Sequence, residues 1–132
     1  MTHGGGNDQP RRRVILNNDG GPRTLHYRVP VDWDTIIKEN VEVLAGTHVD
    51  TLFWCVGTHV LRYGTKVGES YGSNVDKFST VGQWRLHENV KNLTEGERDL
   101  LQGIVEGGHD AGLEVFASFR MNDIHDSLYT ER

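Results

Sequence analysis

The stretch from Leu113 to Asp126 constrains this chain most, because an apolar run passes there directly into a cluster of polar side chains. The run from Val115 to Phe119 predicts a short buried strand. In parallel α/β proteins ligands bind where strands end, because the loops at the carboxyl ends gather over one edge of the sheet. A functional site is therefore expected among the polar residues that follow this strand: Arg120, Asn122, Asp123, His125 and Asp126.

Two other short runs predict strands of the same kind. Val14–Leu16, begun by Arg12 or Arg13, stops at a polar turn, and Thr51–Val56 is rich in aromatic and β-branched residues. Continuous rather than alternating hydrophobicity is typical of strands that are covered on both faces, as in a parallel sheet. Three buried strands are therefore expected.

Helices are predicted between these strands. The first begins with Asp32 or Asp34 as its N-cap, places apolar side chains along one face and ends at Gly46 as a left-handed cap. The second is expected to follow a capping box formed by Thr94 and Glu97, in which each side chain satisfies the amide of the other residue.

The segment 57–92 between the second strand and the capping box shows no long periodic pattern. Since most such connections are short, it is interpreted as an elaborated loop with a short helix around 75–78. Tyr71 and Trp84 in this loop are candidates for stacking on a sugar ring, whereas Trp54, within an apolar strand, is more typical of a core residue.

The order of strand, helix, strand, long loop, helix and strand predicts an α/β fold with right-handed crossovers and a parallel sheet. Three strands leave both sheet edges unpaired, so residues 11–132 are interpreted as the first three βα units of a (β/α)8 barrel, an incomplete barrel. A complete three-stranded α/β domain is the competing interpretation. Residues 1–10 contain three consecutive glycines and a proline and are predicted to form a disordered tail.

Three stretches resemble the N-terminal portion of bacterial glycoside-hydrolase-like TIM-barrel proteins, the group often labelled family 10 glycosyl-hydrolase-like. They are VILNNDGG at 14–21, VDTLFWCVGTHVLRYGTKVGE at 49–69 and GHDAGLEVFASFRMNDIHD at 108–126. In that group a helix ending in His-x-x-Gly leads into a strand that ends in an Arg/Asn-rich cluster, and His109 and Gly112 fill the first positions here. The similarity covers about three of the eight units of such a barrel.

The resemblance implies a carbohydrate-active protein that acts on a glycoside-like small molecule without a cofactor. Glycosidases need two carboxylates beside the scissile bond, and in most such barrels these come from later strands. The chain is therefore expected to supply substrate-positioning residues, with the catalytic residues unknown and no activity of its own. Two other hypotheses are a metal-dependent hydrolase fragment whose first ligands are Asp123 and His125, and a non-catalytic carbohydrate-binding or structural fragment.

The candidate substrate-binding residues lie at the predicted ends of the first and third strands. Arg120 presents a planar fork of donors, and Asn122 offers both a donor and an acceptor. An internal ion pair of Arg120 with Asp19 or Asp123 is the alternative. His125 could act as an acid or base, bind a metal or simply form hydrogen bonds. The predicted set consists of Asn18, Asp19, Arg120, Asn122, Asp123 and His125.

Composition argues against several classes of function. A net charge of −5 argues against general affinity for nucleic acid, and the single Cys55 excludes an intrachain disulfide. No apolar run approaches the roughly 20 residues that span a bilayer, and the polar N-terminus is not a signal peptide, so a cytoplasmic protein without a membrane partner is predicted. The expected partners are a carbohydrate and either the remainder of the barrel or other copies through the open sheet edges.

Overall fold

The computed structural model describes residues 13–73, 75–96 and 98–121. The predicted tail at 1–10 and the predicted site residues Asn122, Asp123 and His125 lie outside this described part. Within it, no helix is both long and apolar enough to cross a membrane. The elements in chain order are β1 (Ile15–Asn18), α1 (Pro22–Leu25), α2 (Trp33–Asn40), a 3-10 turn (Glu42–Leu44), β2 (Thr51–Gly57), α3 (Val81–Thr94), α4 (Leu100–Asp110) and β3 (Glu114–Phe119).

The three strands form one parallel sheet in the order β1-β2-β3. Ile15 pairs with Thr51, which pairs with Glu114 on its other side, so the strands start level with one another. The register shifts between Cys55 and Gly57, near the end of β2. The predicted α/β class with parallel strands is confirmed. All three carboxyl ends therefore lie at one end of the sheet, and the residues that follow the strands there, with their loops, are called the rim.

The helices cover one face of the sheet. Leu52, Trp54 and Val56 alternate along β2, are each at most 2% exposed and pack against helix side chains. Right-handed crossovers explain this arrangement, since two crossovers made in the same direction place both connections on the same face. The predicted core position of Trp54 is confirmed. The helices contribute these core residues: Leu25, Ile36, Leu86, Val90, Leu93, Leu100 and Ile104.

The opposite face of the sheet is exposed in the described part of the chain. Ile15 and Phe116 are each 47% exposed, and the ring of Phe116 lies 5.4 Å from that of Phe53. Arg13 pairs with Glu114 and lies over the ring of Phe116 on this face. The prediction that the first and third strands are covered on both faces is therefore wrong for the described residues, because no layer packs against this side of the sheet.

The start of α2 follows the sequence prediction, whereas the helix ends before the predicted cap at Gly46. The Asp32 side chain accepts a hydrogen bond from the Thr35 amide at 2.8 Å, so Asp32 rather than Asp34 is the N-cap. The α-helix ends at Asn40 and a 3-10 turn follows before Gly46, whose φ of +74° confirms the left-handed conformation. Local capping chemistry thus determines the start of α2, and Gly46 follows the 3-10 turn rather than the α-helix.

α3 is the main departure from the sequence prediction. It spans 14 residues within the segment that the sequence predicts to be an extended loop, and no helix occupies the described residues around 75–78. The polar residue Asn89 interrupts the apolar character of its buried stripe, which hides the helical period from hydrophobicity alone. The buried residues of α3 are Leu86, Asn89, Val90 and Leu93.

The predicted capping box is wrong. Thr94 is the last residue of α3 and cannot also be an N-cap, since the helix that contains it ends there. Asp99 instead caps α4, accepting a hydrogen bond from the Gln102 amide at 2.8 Å. The Thr-x-x-Glu spacing therefore occurs by coincidence at the end of a helix, with Glu97 outside the described residues.

The side chain of Asn89 joins α3 to the end of α1 and to the segment that leads from α1 to α2. Its Nδ2 group donates to the carbonyls of Leu25 at 2.9 Å and Arg28 at 2.7 Å, and its Oδ1 atom accepts from the Val31 amide at 3.1 Å. Only 1% of Asn89 is exposed. One buried amide thus satisfies three backbone groups that have no regular secondary structure to pair with.

Replacing Asn89 by alanine should therefore destabilise the fold strongly. The substitution leaves two carbonyls and one amide buried without a partner, and we expect the free energy of unfolding to fall by about 3 to 5 kcal/mol. Urea unfolding followed by circular dichroism measures the loss. The matched control is Asn92→Ala on the exposed face of the same helix, for which a change within about 0.5 kcal/mol is expected. Similar losses for both variants would contradict the assigned role.

Glycines in α4 allow its neighbours to approach closely. A Cβ atom on Gly103 would lie 2.1 Å from the Trp33 ring, and one on Gly108 would lie 2.3 Å from Val115. Arg98 covers the same indole, with its guanidinium carbon 4.8 Å from the ring centroid. The absence of side chains at these positions therefore determines how near α4 lies to α2 and to β3.

Gly103→Ala is expected to lower the free energy of unfolding by about 1 to 3 kcal/mol, because the added methyl group overlaps the Trp33 ring in a packed interface. Gly82→Ala is the matched control. That position lies in the first turn of α3, and an added Cβ atom would meet its nearest atom at 3.6 Å, an ordinary contact. The control should be neutral or stabilise by about 0.5 to 1 kcal/mol through helix propensity. Thermal unfolding of the two variants distinguishes packing from propensity.

Candidate functional site

The rim brings together residues that are far apart in the sequence. Asp19 follows β1, Thr58 and His59 follow β2, and Arg120 follows β3. The Arg120 amide donates to the Gly57 carbonyl at 3.2 Å, which extends the pairing of β2 and β3 to the rim. Asp19 and Arg120 therefore lie at the same end of the sheet, as the strand pattern predicts.

Asn18 shapes the turn after β1. Its Oδ1 atom accepts hydrogen bonds from the Gly20 and Gly21 amides at 3.0 and 2.7 Å, and its Nδ2 group donates to Asn40 Oδ1 at 3.3 Å. Gly20 has a φ of +90°, and a Cβ atom there would lie 2.7 Å from the Cys55 carbonyl oxygen. Asn18 thus has a structural role in holding this turn against β2, and its predicted contact with a substrate stays a prediction.

A polar network continues from Asn40 along α1 and α2. Asn40 Nδ2 donates to Thr24 Oγ1 at 3.0 Å, and this hydroxyl donates to Glu39 Oε2 at 2.7 Å. The hydrogen bond from Thr24, followed by that from Arg28, lowers the pKa of the Glu39 carboxyl group. The network lines a groove of about 670 Å³ beside the free edge of β1. The polar groups of this network form hydrogen bonds mainly with one another and hold α1 against α2.

Arg62 is a rim residue that the sequence analysis misses. Its amide donates to the Val56 carbonyl at 2.8 Å, and its Nη1 atom donates to the Asp19 carbonyl at 2.9 Å. The guanidinium carbon lies 5.8 Å from the centroid of the Tyr71 ring. The loop after β2 therefore turns back, and Arg62 connects it to the loop after β1. The only signal in the sequence is a basic residue among the glycines and aromatic residues of this loop, which does not give the direction of the turn.

The loop that carries Arg62 has a defined structure. Leu61 donates to the Glu69 carbonyl at 2.8 Å and accepts from the Tyr71 amide at 2.7 Å. The Tyr71 carbonyl contacts His87 Nδ1 of α3 at 3.0 Å, and Phe78 lies against the rings of both residues. Backbone pairing and aromatic packing thus attach the loop to α3.

The two predicted stacking residues differ in their surroundings. Tyr71 is half-buried and already contacts Arg62 and Phe78 through its ring. Trp84, on α3, is 43% exposed. Trp84 is therefore the more accessible of the two aromatic rings, although it lies on a helix and not in the loop that the sequence predicts.

Arg120 is exposed, and the described residues contain no carboxylate paired with it. The described residues show no ion pair between Arg120 and Asp19, whose backbone carbonyl accepts from Arg62. Arg120 thus retains its donors for other groups as far as the described residues show. The alternative pair with Asp123 falls outside them.

His26 follows α1, is half-buried and interacts electrostatically with Arg62. Burial lowers the pKa of its imidazole, and the positive charge of Arg62 lowers the pKa further. Its Nε2 atom is buried and has no hydrogen-bond partner among the described residues. His26 is therefore held in the neutral form near neutral pH.

The lowered pKa predicts a loss of stability in acid. The folded state binds a proton on His26 less readily than the unfolded state, whose ordinary pKa is 6.5, so the contribution of His26 is complete above that pH and disappears as the pH falls through the folded pKa. Urea unfolding at about pH 7.5 and about pH 5 should show a smaller loss for His26→Gln than for the unchanged protein. Identical losses would contradict the assignment, because the other histidines are common to both proteins.

The described residues contain no group of three or more histidine, cysteine, aspartate or glutamate side chains arranged to hold a metal ion. The hypothesis of a metal-dependent hydrolase depends on Asp123 and His125, which lie outside those residues. Cys55 is free and buried, with its thiol 3.6 Å from the Gly57 carbonyl, as predicted for a small core residue.

Comparison with protein-family models finds no family that matches this chain, and comparison with curated proteins finds no relative. The resemblance to glycoside-hydrolase-like barrels therefore rests on the three sequence stretches alone.

Proposed function

We propose that this chain forms part of a carbohydrate-active (β/α)8 barrel and supplies substrate-positioning residues at the carboxyl ends of its first three strands. The observation that carries the proposal is the parallel sheet, which brings Asp19, Arg62 and Arg120 to one rim. In such barrels the loops at this end form the active site. The resemblance to glycoside-hydrolase-like proteins supplies the substrate class.

The one-sided helix layer supports the barrel part of the proposal. In a (β/α)8 barrel the helices form an outer ring, and the other face of the sheet points into an interior filled by side chains. Ile15, Phe53 and Phe116 lie on the uncovered face and have the apolar character of such an interior. Further parallel strands beside β1 and β3 would pair the free edges. Closure of the extended sheet into a barrel would cover these apolar residues.

The rim has the chemistry that sugar recognition requires. Sugar hydroxyls both donate and accept hydrogen bonds, and the rim offers guanidinium donors on Arg62 and Arg120 beside the carboxylate of Asp19. In this proposal Asn122, Asp123 and His125 extend the same set beyond the described residues. Asn18 contributes by holding the turn that presents Asp19.

The proposal assigns substrate positioning, not catalysis, to this chain. Hydrolysis of a glycosidic bond needs a pair of carboxylates about 5 to 10 Å apart. Among the described residues that directly follow the strands, Asp19 is the one carboxylate. The second catalytic group would come from further strands of the barrel.

Binding of oligosaccharides to the full chain tests the proposal. Titration with a panel of xylose, glucose, mannose and galacturonate oligomers, followed by amide NMR, should shift signals of Asp19 and Arg120 with at least one sugar. Arg120→Ala should weaken that binding about tenfold, because it removes a charged hydrogen-bond donor. No hydrolysis of the bound sugar is expected.

Arg13→Ala is the matched control, since Arg13 lies at the amino end of the same sheet and its ion pair with Glu114 is exposed. This variant should bind as the unchanged protein does, because exposed ion pairs contribute little. Absence of binding by every sugar in the panel would overturn the proposal. Equal weakening by Arg13→Ala and Arg120→Ala would also overturn it.

A further inference from the structure

A cavity of about 240 Å³ lies between α3 and the loop that follows β2. Tyr63 and Tyr71 line it from the loop, and both side chains pack against the hydrophobic core. His87, Val90 and Thr94 line it from the helix. The cavity therefore has one wall of aromatic rings and one wall of α3 side chains.

The α3 wall is polar at both ends and apolar in the middle. Val90 follows His87 by three residues and precedes Thr94 by four, a spacing that places side chains on one face of a helix. Seven residues of an α-helix rise by about 10.5 Å, so His87 and Thr94 lie near opposite ends of this wall.

His87 holds the loop against α3 and has a defined tautomer. Its Nδ1 atom lies 3.0 Å from the Tyr71 carbonyl, and its ring centroid lies 5.1 Å from that of Phe78. Gly72 approaches so closely that a Cβ atom there would lie 2.3 Å from His87 Nδ1. Because a carbonyl oxygen only accepts, Nδ1 carries the hydrogen, and Nε2 of the neutral imidazole is an acceptor. This end of the wall therefore favours a ligand that donates.

Thr94 provides a polar group at the other end. Its Oγ1 atom is buried and has no hydrogen-bond partner among the described residues. A buried hydroxyl group without a partner raises the free energy of the folded state. A ligand that brings a polar group to Thr94 would remove that cost.

Other hydroxyl groups of the cavity already donate within the loop. The Thr65 hydroxyl donates to the Val67 carbonyl at 2.6 Å, and the Ser73 hydroxyl donates to the Ser70 carbonyl at 2.7 Å. A hydroxyl group has one hydrogen to donate, so these two have none left for a ligand. A sugar ring, with a hydroxyl group on most of its carbons, needs several donors in return. The cavity therefore suits an apolar ring with few polar groups better than it suits a sugar.

We propose that this cavity binds a para-substituted phenol, a single aromatic ring with hydrogen-bonding groups at opposite ends, independently of the proposed carbohydrate function. Para hydroxyl oxygens lie about 5.5 Å apart, and a hydrogen bond of about 2.8 Å at each end gives a span of about 11 Å. This span matches the separation of His87 and Thr94, with the ring packed between Val90 and the tyrosines. Lys91 and Glu95 line the cavity with opposite charges, which favours a neutral ligand.

Titration of the full chain with hydroquinone, its ortho isomer catechol and phenol, without oxygen and followed by NMR, tests the proposal. Hydroquinone should bind about tenfold more tightly than catechol or phenol, because only its hydroxyl groups reach both ends of the wall. Intermolecular NOEs from its ring to Tyr63, Tyr71 and Val90 should identify the cavity.

Thr94→Val keeps the side-chain shape and removes the hydroxyl group. This variant should bind hydroquinone only as tightly as phenol, while its affinity for phenol stays unchanged. His87→Phe, which keeps a ring but removes the acceptor, should weaken both ligands about tenfold. Circular dichroism checks folding, and Thr94→Val keeps the proposal testable if His87→Phe does not fold. Asn92→Ala, on α3 but outside the cavity, is the control and should leave all three affinities unchanged.

Several outcomes would overturn the proposal. Absence of binding by all three compounds would overturn the site, and equal affinities would overturn the requirement for groups at opposite ends. Binding of xylose with the same affinity and the same NOEs would overturn the aromatic class. Arg120→Ala separates this site from the proposed sugar site, since that rim variant should bind hydroquinone as the unchanged protein does; loss of hydroquinone binding in it would contradict the assignment to the cavity.

Discussion

The buried amide of Asn89 is the interaction on which the helix layer depends most. This side chain pairs with three backbone groups, one at the end of α1 and two in the segment that leads to α2. Those groups would otherwise be buried without partners, which is costlier than losing a single exposed hydrogen bond. The turn after β1 leads directly into α1. By fixing the end of α1, the Asn89 contact therefore also helps to fix this turn of the rim.

The same residue explains what the sequence could and could not predict. The strands β2 and β3 and the start of α2 were predictable because each depends on local signals, apolar runs or a cap. α3 was not, because the function of Asn89 in its buried stripe appears only when a distant segment packs against it. The spacing of Thr94 and Glu97 misled the prediction in the opposite way, because it matches a capping box although Asp99 is the N-cap of α4.

The same distinction between local and long-range signals applies to the candidate site. Asp19 and Arg120 could be placed together from the sequence, because parallel strands bring their carboxyl ends to one edge. Arg62 could not, since its position depends on a loop that folds back through the pairing of Leu61 with Glu69 and Tyr71. Hydrophobic periodicity gives no information about such a loop. Arg62 is thus the rim residue that strand ends alone do not reveal.

The two free edges of the sheet have a geometric consequence for assembly. In the described part, β1 and β3 are the two outer strands of the sheet and run in the same direction. Each leaves a different edge unpaired. If β3 of one molecule paired with β1 of the next, every added copy would present the same edge again, a head-to-tail contact. Such a contact stops only when the twist of the sheet closes the series into a ring; otherwise it grows as a filament. The curvature between neighbouring strands would therefore decide whether copies of this chain form a bounded particle or a fibre.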